Sequence, residues 1–202
     1  QPFGWPTVVS TTWRRPGGRP VTRTWPKNQA WIASVAGRLD VGAWLRPRAL
    51  ACRIGARACA LAVEDDPLEV LRMGVPFDTC LSLRDGFNAA STVLNAVDVN
   101  KRVIYLRGDD GAILARQLLA VGADLRLLRY RLYSSLAGPD AEVVERLFEQ
   151  VFQDIVRETG LEETGDGAPV ALHGGFWYDD GALAPIAADD DLGAELAARG
   201  LP

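Results

Sequence analysis

The sequence is poor in the residues from which recognisable chemical sites are most often assembled. Its 202 residues include one histidine, His173, and three cysteines, Cys52, Cys59 and Cys80, none in C-x-x-C spacing. Structural zinc sites draw on close pairs of such residues, so the spacing argues against a metal, and no cofactor is expected. An odd cysteine count is the pattern of reduced thiols and points to a cytoplasmic compartment. There is no G-x-G-x-x-G and no G-x-x-x-x-G-K-[ST], so neither a Rossmann nor a P-loop nucleotide site is supported. No apolar run approaches the roughly 20 residues that span a bilayer, so no membrane partner is expected. The first residues, Gln1-Pro2-Phe3-Gly4-Trp5-Pro6, lack a start methionine and a basic-then-apolar leader. They are read as the boundary of a fragment whose natural chain continues upstream.

What is present is an ordinary globular composition, 48% hydrophobic and 24% charged, in a chain long enough to bury a core. The charge is unevenly placed. Residues 1–63 hold ten Lys/Arg and one acid, a formal +9, whereas the remainder carries −13, and together they give the net −4. Either the two parts complement each other internally, or the basic part faces an external polyanion. The chain is accordingly divided into a basic, Trp-rich part over 1–57 and a core domain with an acidic tail over 58–202.

Residue patterns predict the elements in order. Thr7–Trp13 and Pro20–Trp25 are rich in β-branched residues and flank Pro16-Gly17-Gly18, which predicts a hairpin. Asn28 is placed to cap a helix carrying Trp31, Ile32, Val35 and Leu39. Cys59–Glu64 reads as a strand, and Asp66-Pro67 as the capped start of a short helix. A helix over about Asn88–Val97 precedes the clearest local signal, two apolar strands around Gly108-Asp109-Asp110-Gly111. Leu125–Tyr133 supplies a third strand, Pro139–Thr159 a long helix, and Val170–Leu172 a last strand, with a terminal helix near 191–199. Strands in succession without βαβ alternation predict an α+β fold. Its sheet is expected to be mainly antiparallel, with hairpin 103–119 and strand 125–133 packed against helix 140–159.

Three constellations carry candidate chemistry. Cys80 lies ahead of a helix whose dipole favours a thiolate, and His173 is the only histidine able to serve it as a base. Together they would make a cysteine-dependent hydrolase or transferase, although a buried apolar cysteine explains Cys80 as well. A polar cluster of Asn88, Ser91, Asp98, Asn100 and Lys101 surrounds the central helix and its exit, with Arg107 on the next strand. Each member also has a local explanation: Asn100 tolerates left-handed geometry at a helix end, and Lys101-Arg102 complement the helix dipole. The third constellation is the basic N-terminal part, where Arg14, Arg15, Arg19 and Arg23 with Trp13 and Trp25 suit phosphate contact and base stacking. No RRM, KH, zinc-finger or helix-turn-helix signature accompanies it.

The central block has a wording of its own. It comprises Glu64-Asp65-Asp66-Pro67-Leu68-Glu69-Val70-Leu71-Arg72-Met73-Gly74, Thr79-Cys80-Leu81-Ser82-Leu83, Phe87-Asn88-Ala89-Ala90-Ser91, and Asp98-Val99-Asn100-Lys101-Arg102-Val103-Ile104-Tyr105-Leu106-Arg107. With Phe176-Trp177-Tyr178-Asp179-Asp180-Gly181, it resembles a C-terminal domain of large uncharacterised bacterial proteins, some with helical repeats upstream. More distantly it is similar to PcfJ-like proteins of conjugative plasmids. The resemblance spans about residues 58–181 and implies a module of a longer chain, without assigned chemistry. The expectation is therefore a non-catalytic interaction module of a larger bacterial protein. Its partner would be nucleic acid or another domain of the same protein, met through the basic N-terminal third.

Overall fold

A computed structural model describes residues 10–14, 20–84, 86, 88–164 and 170–174, with backbone alone at 10–14 and 20–24. Two sheets are present. The first is a hairpin of β1 (Ser10–Arg14) and β2 (Pro20–Thr24), antiparallel and, among the described residues, paired with no other strand, with Trp13 opposite Val21 and Thr11 opposite Arg23.

The second sheet is mixed, in the order β3 (Ala49–Ile54), β4 (Arg57–Glu64), β5 (Lys101–Gly108), β6 (Ile113–Val121), β7 (Arg126–Arg129), β9 (Glu162–Thr164). A short strand β8 (Tyr133–Ser134) pairs with β6 beside β7. Neighbours are antiparallel except β7 and β9, which run parallel. The Gly108–Gly111 turn forms as the sequence predicts, with Gly111 at φ +78°, a conformation glycine adopts without strain. The strand expected over 125–133 is divided into β7 and β8, and Leu125 itself turns with φ +62°. Strand β3 was not expected: after Pro47 its Ala, Cys and Arg lack strand character, and it is held as an edge by pairing with β4. The pair β3–β4 runs across residue 57.

The helices are α1 (Pro26–Val35), α2 (Val41–Leu45), α3 (Pro67–Val70), α4 (Ala89–Val97) and α5 (Pro139–Thr159). The Asp66 side chain caps α3 through the Leu68 N–H, and Gly160 ends α5 in left-handed geometry. Strands β5 and β6 are buried along nearly their whole length because both faces are covered. Ile104, Leu106, Leu119 and Val121 point to one cluster, joined by Val35, Leu39 and Trp44 and by Val144, Phe148, Phe152 and Ile155 of α5. Alternate residues, Val103, Tyr105, Leu118 and Ala120, point to a second cluster with Val70, Met73, Leu81 and Leu94. Period-two alternation thus serves two cores, one on each face of the sheet. The fold is α+β.

No helix among the described residues is long and apolar enough to cross a membrane. Val170–Leu172 is not a strand; it is an irregular segment entering a bend at Leu172, held by the side chains of Asn100, Lys101 and Asp98. The expected terminal helix, Phe176–Gly181, Arg15 and Arg19 lie outside the described residues.

Candidate functional site

The densest polar constellation lies where α4 hands over to β5. Asp98 is the C-cap of α4, its N–H closing on the Leu94 carbonyl. Its carboxylate, only 1% exposed, turns inward and accepts four hydrogen bonds. They come from Lys101 Nζ at 2.6 Å, Leu172 N at 2.9 Å, His173 N at 3.2 Å and His173 Nδ1 at 2.8 Å. The Lys101 ammonium, fully buried, also reaches Asn100 Oδ1 and the Val170 carbonyl. An ammonium has three protons to donate, and three acceptors lie around it among the described residues. Burial pushes the Lys101 amine below its ordinary value, and the adjacent Asp98 charge opposes that shift.

Asn100 completes the cradle by donating to the carbonyls of Val121 and Val170 at 3.2 and 3.1 Å. Its backbone is not left-handed, so the local helix-end explanation fails; its amide is needed for tertiary bonds. Lys101 stays beside the α4 C-cap through Asp98, whereas Arg102 turns away from it. Arg102 pairs with Asp65 at 2.5 Å, donates to the Trp44 carbonyl and lies over the Trp44 ring. Two further elements stitch the turn from outside. Asn28, expected as a cap, sits inside α1 and is fully buried. It donates to the Val97 carbonyl at 2.7 Å and accepts from Val99 N, while Trp44 Nε1 donates to the Val99 carbonyl.

This geometry recognises main chain. One carboxylate takes two consecutive backbone N–H groups, while an ammonium and an amide give to the carbonyl two residues earlier. That is how an extended peptide is bound, and the occupant is the chain's own segment 170–174. His173 is fixed further by an edge-to-face contact with Trp25, ring centroids 5.4 Å apart. Among the described residues, its Nε2 is buried with no hydrogen-bond partner.

The other expected site residues are dispersed. Asn88 is the N-cap of α4 and its amide donates to Cys80 Sγ at 3.3 Å; Ser91 is buried one turn on. Arg107 turns to Glu64 and Glu69 at 2.7 and 3.0 Å, and its guanidinium lies over Tyr105. Only Asp98, Asn100 and Lys101 of the six are brought together. Cys80 is tied to one end of α4 and His173 to the other, with about 15 Å of helix between their anchors. No family model, curated protein or solved structure matches the chain. The site is therefore read from its own geometry. Among the described residues no three His, Cys, Asp or Glu side chains are gathered as metal ligands.

The N-terminal third divides in two. Trp44 is in the core, Trp31 packs against it, and Trp25 meets His173. Arg46 and Arg48 grip Glu158 of α5 at 2.8 and 3.1 Å. Arg14, Arg23 and Trp13 belong to the separate hairpin β1–β2.

Proposed function

We propose that the protein is a non-catalytic binding module of a larger bacterial protein, and that its basic hairpin contacts single-stranded nucleic acid. One observation carries the proposal. The aromatic and cationic groups from Trp25 to Arg48 named above have internal partners, whereas, among the described residues, the strands that carry Trp13, Arg14 and Arg23 pair only with each other. A two-stranded hairpin is marginal alone in water and gains order from a partner. Arginine for phosphate and tryptophan for base stacking, the latter about 1–3 kcal/mol per base, are what a single strand requires. The resemblance of residues 58–181 to modules of long bacterial proteins is consistent with such a role. The test is fluorescence anisotropy with a labelled single-stranded oligonucleotide. Arg14→Ala with Arg23→Ala should weaken binding roughly tenfold at about 0.1 M salt and leave the melting temperature unchanged. Equal affinity of variant and parent would redirect the proposal to a protein partner.

A second reading, a cysteine-dependent hydrolase or transferase, is favoured by the bond from His173 Nδ1 to Asp98, the pairing that orients a general base. It requires the imidazole to reach Cys80 from the opposite end of α4, and so requires segment 170–174 to leave its cradle. His173→Ala should then slow alkylation of Cys80 by iodoacetamide at neutral pH; an unchanged rate removes this reading.

A further inference from the structure

Cys52 and Cys59 are separated by six residues in sequence and meet as direct cross-strand partners in the β3–β4 hairpin. The turn between them has two residues, with Gly55 at φ +56° in the first position, the arrangement of a type II′ turn. Such a turn makes Ile54 and Arg57 the closing hydrogen-bonded pair. The alternation of an antiparallel ladder makes Cys52 and Cys59 the next one, with Cα atoms about 5.5 Å apart. Disulfides form across roughly 4.4–6.8 Å. Direct partners share a face of the sheet, and both cysteines do pack against the same apolar cluster. The two thiols therefore point to the same face of the sheet, from Cα atoms within bridging separation.

We propose that Cys52 and Cys59 form a redox-reactive dithiol that a low-molecular-weight disulfide converts to an intramolecular cross-strand disulfide. Access sets the order of events. β3 is the edge of the sheet and Cys52 is half-buried there, whereas Cys59 is only 8% exposed. The Cys52 thiolate attacks one sulfur of the small disulfide, forming a mixed disulfide and expelling one small thiolate, which takes up a proton. Cys59, having released its own proton, attacks the Cys52 sulfur and expels the second small thiolate. Two protein thiols are oxidised and one small disulfide is reduced to two thiols. Burial raises both thiols above their ordinary value, and the neighbouring Cys59 raises that of Cys52 further. The reaction is accordingly slow at neutral pH and accelerates about tenfold per pH unit until the thiol ionises. Cys80, on the other face of the sheet near Asn88, takes no part.

The test uses the folded chain, glutathione disulfide, quenching with iodoacetamide, and tryptic mass spectrometry. Cleavage after Arg48, Arg53, Arg57 and Arg72 places the two cysteines on separate peptides, 49–53 and 58–72. The expected product is these two peptides joined and two hydrogens lighter than their sum, undiminished in Cys80→Ser. Cys59→Ser should instead retain glutathione on Cys52, and Cys52→Ser should give no link. A stable glutathione adduct on Cys52 in the parent protein, a link involving Cys80, or no reaction of the folded parent at pH values that ionise a thiol would each overturn the proposal.

Discussion

Asp98 meets four donors, one from Lys101 and three from a segment 74–75 residues away, and the site depends on its charge. Removing one member of a buried ion pair leaves the other in a medium that cannot solvate it, at a cost of about 3–5 kcal/mol. Asp98→Asn should therefore destabilise the fold by that order in urea denaturation, and adding Lys101→Met should recover a substantial part. A loss under about 1 kcal/mol would mean that the pair is solvated and the cradle open. Gly74 presents a different kind of constraint. A Cβ there would lie 2.2 Å from Ser82 N and 2.3 Å from the Leu81 carbonyl carbon, which is backbone and cannot rotate aside. Gly74→Ala should lower the urea midpoint and loosen the Cys80 segment, read as faster amide exchange at Leu81 and Ser82.

At the scale of elements, α5 is joined to the rest by a buried stripe and by charge. Phe148 is 1% exposed in the cluster shared with β5 and β6, and Phe148→Ala should cost about 3–5 kcal/mol in the same denaturation assay. Arg48, with Arg46 beside it, holds the Glu158 carboxyl below its ordinary value of 4.5. The sign follows: a depressed carboxyl contributes stability above its ordinary value and loses it as pH falls through the folded one. The difference in urea midpoint between parent and Glu158→Gln should thus be present near about pH 6 and shrink as pH falls below the ordinary carboxyl range. A difference that persists in acid would contradict the clamp. These elements also show what a sequence displays. The helices α4 and α5 and the β5–β6 turn are local patterns, and each forms close to its expected limits. β3 is a short edge strand, Ala-Leu-Ala-Cys-Arg-Ile, with few β-branched residues and held by pairing with β4, so its local pattern is weak. The cradle was hidden for the same reason: Asn100 and Lys101 look like residues for a helix end until a segment 70 positions later supplies their partners.

For the molecule as a whole, the contrast of a +9 third and a −13 remainder has two outcomes rather than one. Part of the basic third is neutralised internally, as Arg46 and Arg48 on Glu158 show. In the proposed role the hairpin arginines meet an external polyanion. If the hairpin tracks phosphates, binding must release counterions, and affinity must fall steeply as salt rises. The most direct measurement is the dissociation constant for a single-stranded oligonucleotide across about 50–200 mM salt, with the parent protein and the Arg14→Ala, Arg23→Ala variant side by side. The account predicts a logarithmic slope of about −0.7 per phosphate contacted, shallower by one to two contacts in the variant. No binding at the lowest salt, or identical slopes for the two proteins, would contradict it.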